Sequence, residues 1–435
     1  MKQEIIKSYC LSALARYWLT CENEISTLPV NANLPSDVQI PTKLEFIQLP
    51  EWAKHIGVNG QILVPSEVVL SGSSWENINW WYVIYWYLNC LAERKYEEMN
   101  GPLHSYSFRL KGWDSRMWDH AWVNRIAIFL SLWAKEKDQP SGQSITSSAV
   151  MPEIYITHDL DAIKKTLAIR LKQTAFHLFN SVRALFSGDF FHFSKKFKKA
   201  LRFFFGVEDY RNFEKLELNK SGTCITKQII NVYGGNVGKE QTIKQKLFDP
   251  SYDIRDPELI FQLEGMSKKG VEIGLHQSFD AWEEKELVLS EADKVRNAMG
   301  FPITTCRQHW LRFSFSDTWL AQSQSGFMED TTLGFNDRPG FRNGAALAFK
   351  PIGMDGTTLP ITSVPMVLMD SHLYDYEQFD DEQRNQAIDR WVTEIEEVGG
   401  QASIIWHPHT LGDDYGWHSG FIKLINRLRV NSEKC

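Results

Sequence analysis

An α/β fold is predicted for residues 151–435, with parallel strands arranged as a barrel or a doubly wound sheet. Two observations point there. Short apolar runs alternate with longer stretches whose apolar residues recur every three or four positions. Four of the runs are followed at once by ionisable residues, as expected where the C-terminal ends of parallel strands build a site.

In chain order, residues 153–157 (EIYIT) read as a strand after Pro152. Residues 256–269 read as a helix closed by Gly270, and 271–275 as the next strand. A helix over 283–299 ends at Gly300, and a strand over 303–306 follows. Residues 377–398 place Ile388, Trp391, Val392, Ile395 and Val398 on one helical face before Gly399-Gly400. Residues 402–406 are then a buried strand.

Residues 1–140 are expected to form a smaller α+β domain. Short strands and turns occupy 35–65, a buried helix 75–96 and a second helix 113–135. The stretch QPSGQSITSSAV over 139–150 is small and polar, and the linker is placed at 141–150, before a barrel-like unit over 151–435. Residues 164–205 depart from the alternation. They hold ten Lys and Arg, many Phe and Leu, and one acid, Asp189. Their net charge of +9 within a chain of net −7 leaves −16 elsewhere. The insert reads as a basic amphipathic helical segment lying on an anionic membrane or binding an anionic glycan, or as a solvated helical hairpin whose Phe residues pack on the barrel.

With 43% hydrophobic and 23% charged residues, the chain is not mainly disordered. Its acidic balance argues against nucleic-acid binding. No apolar run reaches the ~18 residues of a membrane helix. Six cysteines without a C-x-x-C pair exclude a zinc knuckle. Lys7, Arg16 and Glu22 interrupt any signal-peptide core, so a cytoplasmic location is expected.

The strand ends carry His158-Asp159-Leu160-Asp161, then His276 with Asp280 four residues on, then Arg307-Gln308-His309 with Arg312, then His407-Pro408-His409. Asp and neutral His suit a divalent cation, zinc first, with cobalt or nickel as alternatives. A second carboxylate can take a proton from water, and a His can give one to a leaving amine. His409 and His418 compete with His407 for that last role. His309 reads as structural or substrate-facing, and the lone His104 and His120 as structural. Asp330 either joins Arg307 in positioning substrate or begins a turn. Arg342 either binds a substrate carboxylate or phosphate or is a turn residue.

Together these segments resemble the NodB-homology polysaccharide deacetylases of the carbohydrate esterase family 4 type. The resemblance rests on Thr157-His158-Asp159-Leu160-Asp161, on Glu272-Ile273-Gly274-Leu275-His276, on Arg307 and on Ile405-Trp406-His407. It is nearest to a bacterial subgroup with THD-x-D, GLH-x-S, RQH-x-L-R-F and GFR-x-G segments, the last matched at 340–344, and with an N-terminal domain of unknown function. The resemblance implies a distorted (β/α) barrel and a metal-dependent hydrolase that removes an N-acetyl or other acyl group from a sugar. It implies Asp159 as base, Arg307 as its orienting partner and His407 as acid. Asp161 and His276 would be metal ligands. Two departures stand out: Leu160 separates the aspartates, and Asp280 replaces the second His of the usual H-x-x-x-H motif. The third ligand is therefore expected to be Asp280 or His158. The alternatives are a catalytically degenerate barrel that binds glycan or protein and an amide hydrolase acting on a non-sugar substrate.

Overall fold

The computed structural model describes residues 3–18, 21–69, 74–138, 150–186, 190–206, 209–377 and 379–429. Two antiparallel strands, β1 (Leu44–Gln48) and β2 (Gln61–Pro65), form a ribbon near the N-terminus. The remaining strands are β3 (Glu153–Asp159), β4 (Ile225–Tyr233), β5 (Glu272–Gln277), β6 (Thr305–Gln308), β7 (Glu329–Asp330), β8 (Thr362–Ser363), β9 (Met366–Met369) and β10 (Gln401–Ile405). They pair in the order β8-β7-β6-β5-β4-β3-β10-β9, and every pair is parallel.

The order itself makes the sheet curl. Its two outer members, β8 and β9, are consecutive in the chain and separated only by Val364-Pro365. A link that short spans roughly 10 Å. The chain switches partners along this segment. The Val364 N–H donates to Asp330 O at 2.8 Å and the Met366 N–H to Leu333 O at 2.7 Å, while the Ser403 N–H reaches Pro365 O at 2.8 Å. A flat doubly wound sheet is thereby set aside. The sheet is parallel and covered, and β4 is apolar on both faces, with the consecutive Ile229 and Ile230 both buried.

The helix predicted over 256–269 is present as Pro257–Lys268. Asp256 caps it by accepting from the N–H groups of Glu258 and Leu259, and Pro257 fits its first turn. The helix expected from 377 begins later, as Asp381–Glu397. Asp380 and Gln383 form a capping box that sets its start. The single helix expected over 75–96 is two, Trp80–Leu88 and Leu91–Asn100, because Cys90 adopts a left-handed backbone (φ 49°). The one expected over 113–135 is a short turn, Ser115–Trp118, followed by Trp122–Asp138.

The described residues up to 138 share one contiguous apolar core with the barrel-like unit. Buried polar contacts join them. Tyr17 donates to Val398 O at 2.7 Å, Asn124 to Ala346 O at 2.7 Å, and Arg125 pairs with Glu394 at 2.6 Å. Most of the predicted linker, residues 141–149, lies outside the described residues. The basic insert is an antiparallel pair of helices, Leu167–Phe186 and Phe190–Phe205. Arg170 donates to Phe204 O, and Ser181 to Phe193 O.

Candidate functional site

All eight strands run the same way, so their C-terminal ends share one rim. Asp161 follows β3 there, and three imidazoles converge on it. His276 Nε2, from β5, lies 3.2 Å from Asp161 Oδ1. His309 Nε2, just past β6, lies 3.4 Å from the same oxygen. His407 Nε2, just past β10, lies 3.6 Å from Oδ2. Donor atoms of Asp161, His276 and His309 lie within 4.8 Å of one another.

Each ring is held by its other nitrogen. His276 Nδ1 faces Arg307 O at 3.3 Å, which fixes the ring with its Nε2 toward Asp161. His309 Nδ1 faces Asp249 Oδ1 at 3.5 Å. Two imidazole Nε2 atoms and a carboxylate, with ring orientation set by outer partners, fit a divalent cation and leave further coordination positions open. Burial disfavours charge on both Asp161 and His309. Hydrogen bonds with His276 and His309 outweigh it for Asp161 and hold the carboxylate well below its usual range, while contacts with Asp161 and Asp249 lift His309 to about 9.

Backbone strain marks the same place. Trp310 and Leu311, directly after His309, have φ of 57° and 47°. A non-glycine residue in that region costs about 1–3 kcal/mol. The turn is held by Trp310 Nε1 donating to Phe248 O at 3.1 Å and by Asn336 Nδ2 donating to Trp310 O at 3.0 Å. It turns the chain sharply off β6 immediately beyond His309.

Asp159 is buried beside this group. It accepts at Oδ1 from Asn231 Nδ2 (2.9 Å) and from Arg307 (3.1 Å). Burial works to raise its pKa, but the Arg307 guanidinium prevails and keeps it below the usual carboxylate range. Asn231 reaches it because Gly274, on the adjacent strand, has no side chain; a Cβ there would collide with Asn231 Oδ1. Arg307 is fully buried and also donates to Thr157 Oγ1 (2.6 Å) and Thr331 O (3.0 Å).

His407 is fixed by Asp370, at the end of β9. Its Nδ1 lies 2.7 Å from Asp370 Oδ1, and its N–H donates to Oδ2 at 2.9 Å. Burial opposes protonation, but the Asp370 charge carries His407 up to about 10. Burial leaves His409 at about 4, hence neutral at pH 7, which separates the two candidates for the acid. His418 opens helix His418–Arg427.

Several expectations need correction. His309, expected to be structural or substrate-facing, stands in the candidate metal site with Asp161 and His276. Asp280 stands outside it, held in a partly exposed ion pair with Lys244 (2.8 Å) and 3.5 Å from Arg312. His158 is buried with both ring nitrogens occupied, Nδ1 by Trp406 O (2.7 Å) and Nε2 by Gln228 (3.0 Å), and its pKa falls to about 4 through burial. Asp330 accepts from Trp319, Gln322 and Thr332, which makes it a buried scaffold. Arg342 is also buried. It pairs with Glu93 at 2.9 Å and donates to Ser105 at 2.6 Å, tying the barrel to the N-terminal residues. Arg312 stacks on Phe279 at 4.0 Å and contacts His104 Nε2 at 3.2 Å. His120 contacts Glu394 at 2.8 Å.

Sequence reasoning missed Asp249 and Asp370. Asp370 follows the apolar run Met366–Met369, so the rule that found the other strand ends also applies to it. Asp249 follows the six-residue helix Ile243–Phe248, where no periodic signal points inward.

No family model matches the chain, and no curated protein matches it. Among solved structures it is similar to a candidate polysaccharide deacetylase from Mycobacterium smegmatis, at 12% identity and a TM-score of 0.33, over 63% of this chain and 83% of that one.

Proposed function

We propose that the chain is a metal-dependent hydrolase that removes an acetyl or related acyl group from the nitrogen of a sugar. One observation carries the reading: Asp161, His276 and His309 converge at one rim with a buried, charged Asp159 and a protonated His407 beside them.

Asp161, His276 and His309 would hold the cation, zinc first, with cobalt or nickel as alternatives. When bound there, such an ion supplies Lewis acidity toward water and toward the acyl carbonyl. The chain's own groups divide the proton work. Asp159 takes the proton from the attacking water as its oxygen joins the carbonyl carbon. Arg307 keeps Asp159 charged and oriented. As the C–N bond breaks, His407 gives its Nε2 proton to the departing amine, and Asp370 keeps that imidazole charged beforehand. His309 supplies the ligand that the altered His motif lacks, which favours hydrolysis over a binding-only barrel. The cytoplasmic location expected from the sequence would place the reaction in the assembly of a surface glycan.

The test is metal content by elemental mass spectrometry beside hydrolysis of acetylated amino-sugar oligomers. About one divalent ion per chain is expected in wild type and in Asp280→Ala. Its loss is expected in His309→Ala and His276→Ala. Retention of metal by His309→Ala with loss in Asp280→Ala would return the third ligand to Asp280. A fully metallated protein inert on every acyl sugar would remove the hydrolase reading.

A further inference from the structure

The basic helical hairpin carries two exposed apolar stripes. On Leu167–Phe186 the exposed residues Leu167, Leu171, Leu178 and Val182 fall within about 60° of arc at 100° per residue. On Phe190–Phe205 the exposed residues Phe190, Phe197, Leu201 and Phe205 fall within about 80°. Phe190 is 70% exposed and Phe205 74%. These are not the packing faces of the hairpin, since Ser181, Ala200 and Phe203 are buried. Large side chains at such spacing expose an ordered apolar surface, unlike the scattered apolar residues of an ordinary exterior.

The root of the hairpin is fixed at the rim of the site. Three residues after Asp161, the Lys164 backbone forms an isolated antiparallel bridge with that of Asp209. Lys165 pairs with Asp414 at 2.7 Å and lies 3.8 Å over the Phe203 ring. Tyr210 donates to Asp414 at 2.8 Å, and Phe203 packs on Tyr415 at 5.2 Å. Asp414 and Tyr415 belong to the loop that begins at His407, so the hairpin and the acid share one support.

We propose that this hairpin docks the protein on the surface of an anionic lipid bilayer, stripes inserted at the headgroup boundary, with the rim of the site held beside the lipid. Charge selects this occupant. Residues 164–205 carry +9 with a single acid, and apolar stripes amid cations match an anionic interface, which supplies both hydrocarbon and negative charge. A second copy is a poor match, because a twofold contact would set +9 against +9. Among the described residues no helix is long and apolar enough to cross a membrane, so the hairpin would lie on the surface. The docking does not depend on the hydrolase reading, because it is measured on protein and lipid alone.

The test is co-sedimentation of the full chain with vesicles of phosphatidylcholine alone or mixed with phosphatidylglycerol. Wild type is expected to pellet with the anionic vesicles and remain in solution with neutral ones, with partitioning falling about tenfold or more at high salt. The double variant Phe190→Asp/Phe197→Asp, both positions exposed, is expected to lose about tenfold or more at unchanged thermal midpoint and unchanged metal content. If that variant does not fold, the dependence of wild type on lipid charge and salt still decides. Wild type left in solution with both vesicle types would overturn the proposal. So would equal pelleting of wild type and variant, or a lipid-free dimer that the variant abolishes.

Discussion

At the residue scale the site is a set of carboxylate–imidazole contacts with the carboxylates divided by task. Asp161 faces the three Nε2 atoms, whereas Asp249 and Asp370 stand behind His309 and His407. Asp370 is saturated by His407 Nδ1, the His407 N–H and Thr410 Oγ1, which makes it a positioning residue. Asp370→Asn should therefore lower kcat by about 10²-fold, the scale of a lost general acid, with KM unchanged. Metal content should stay at the wild-type value; steady-state kinetics beside elemental analysis checks this. Loss of metal or of fold instead would make Asp370 a scaffold.

At the element scale, the segment 340–344 shows how a sequence motif can be misread. Gly-Phe-Arg-Asn-Gly looks like a ligand loop, yet it is a clip between the barrel and the N-terminal residues. Phe341 N–H donates to Trp118 O at 2.8 Å, and Gly344 O accepts from the Val123 N–H at 2.9 Å. Gly344 has φ 58° and sits against the Tyr87 ring, where a side chain has neither the conformation nor the space. Gly344→Val should destabilise the fold by about 1–3 kcal/mol or more, seen as a lower midpoint in urea unfolding, with metal content intact in the folded protein. Elements were legible where periodicity and punctuation agreed, as at Asp256-Pro257 through Gly270. They were not legible where tertiary contacts override propensity. β4 was missed because Lys227 and Gln228 interrupt its apolar run. Lys227 pairs with Glu272 and Glu329, and Gln228 turns inward to His158. β7 and β8 have only two residues each, too few for any period to show.

At the scale of the whole molecule, stability rests partly on buried ion pairs across the two regions. Burial would raise the pKa of Glu394, but hydrogen bonds from His120 and Arg125 outweigh it and hold the group at about 2. A carboxyl depressed in the folded state contributes stability above its ordinary value of about 4.5. That contribution declines as pH falls toward about 2. The shift corresponds to about 3 kcal/mol. Glu394→Gln should lower unfolding stability at pH 7 by about 3 kcal/mol, because it leaves the buried Arg125 with only the more exposed Glu397 as a charged partner. It should also flatten the acid limb between about pH 4.5 and 2, as denaturant titrations at several pH values would read. An unchanged acid limb would mean that other carboxylates govern acid unfolding.

The sequence by itself determined which strand ends carry clustered ionisable side chains, because apolar runs that stop at His, Asp and Arg declare both a buried strand and its polar end. It marked Asp159, Asp161, His276, Arg307 and His407, and the charge asymmetry of the insert. Only the tertiary structure decided which third side chain joins Asp161 and His276 in the candidate metal site, the carboxylates behind the histidines and the structural contacts of Arg342 and Asp330. The reason is geometric. A ligand set is defined by distances among residues far apart in the chain, and β6 delivers His309 to Asp161 only because β5 and β6 are neighbours and the chain turns sharply at Trp310. His309 and Asp280 are equally plausible ligands by residue type. Barrel curvature brings one to the centre and leaves the other with Lys244.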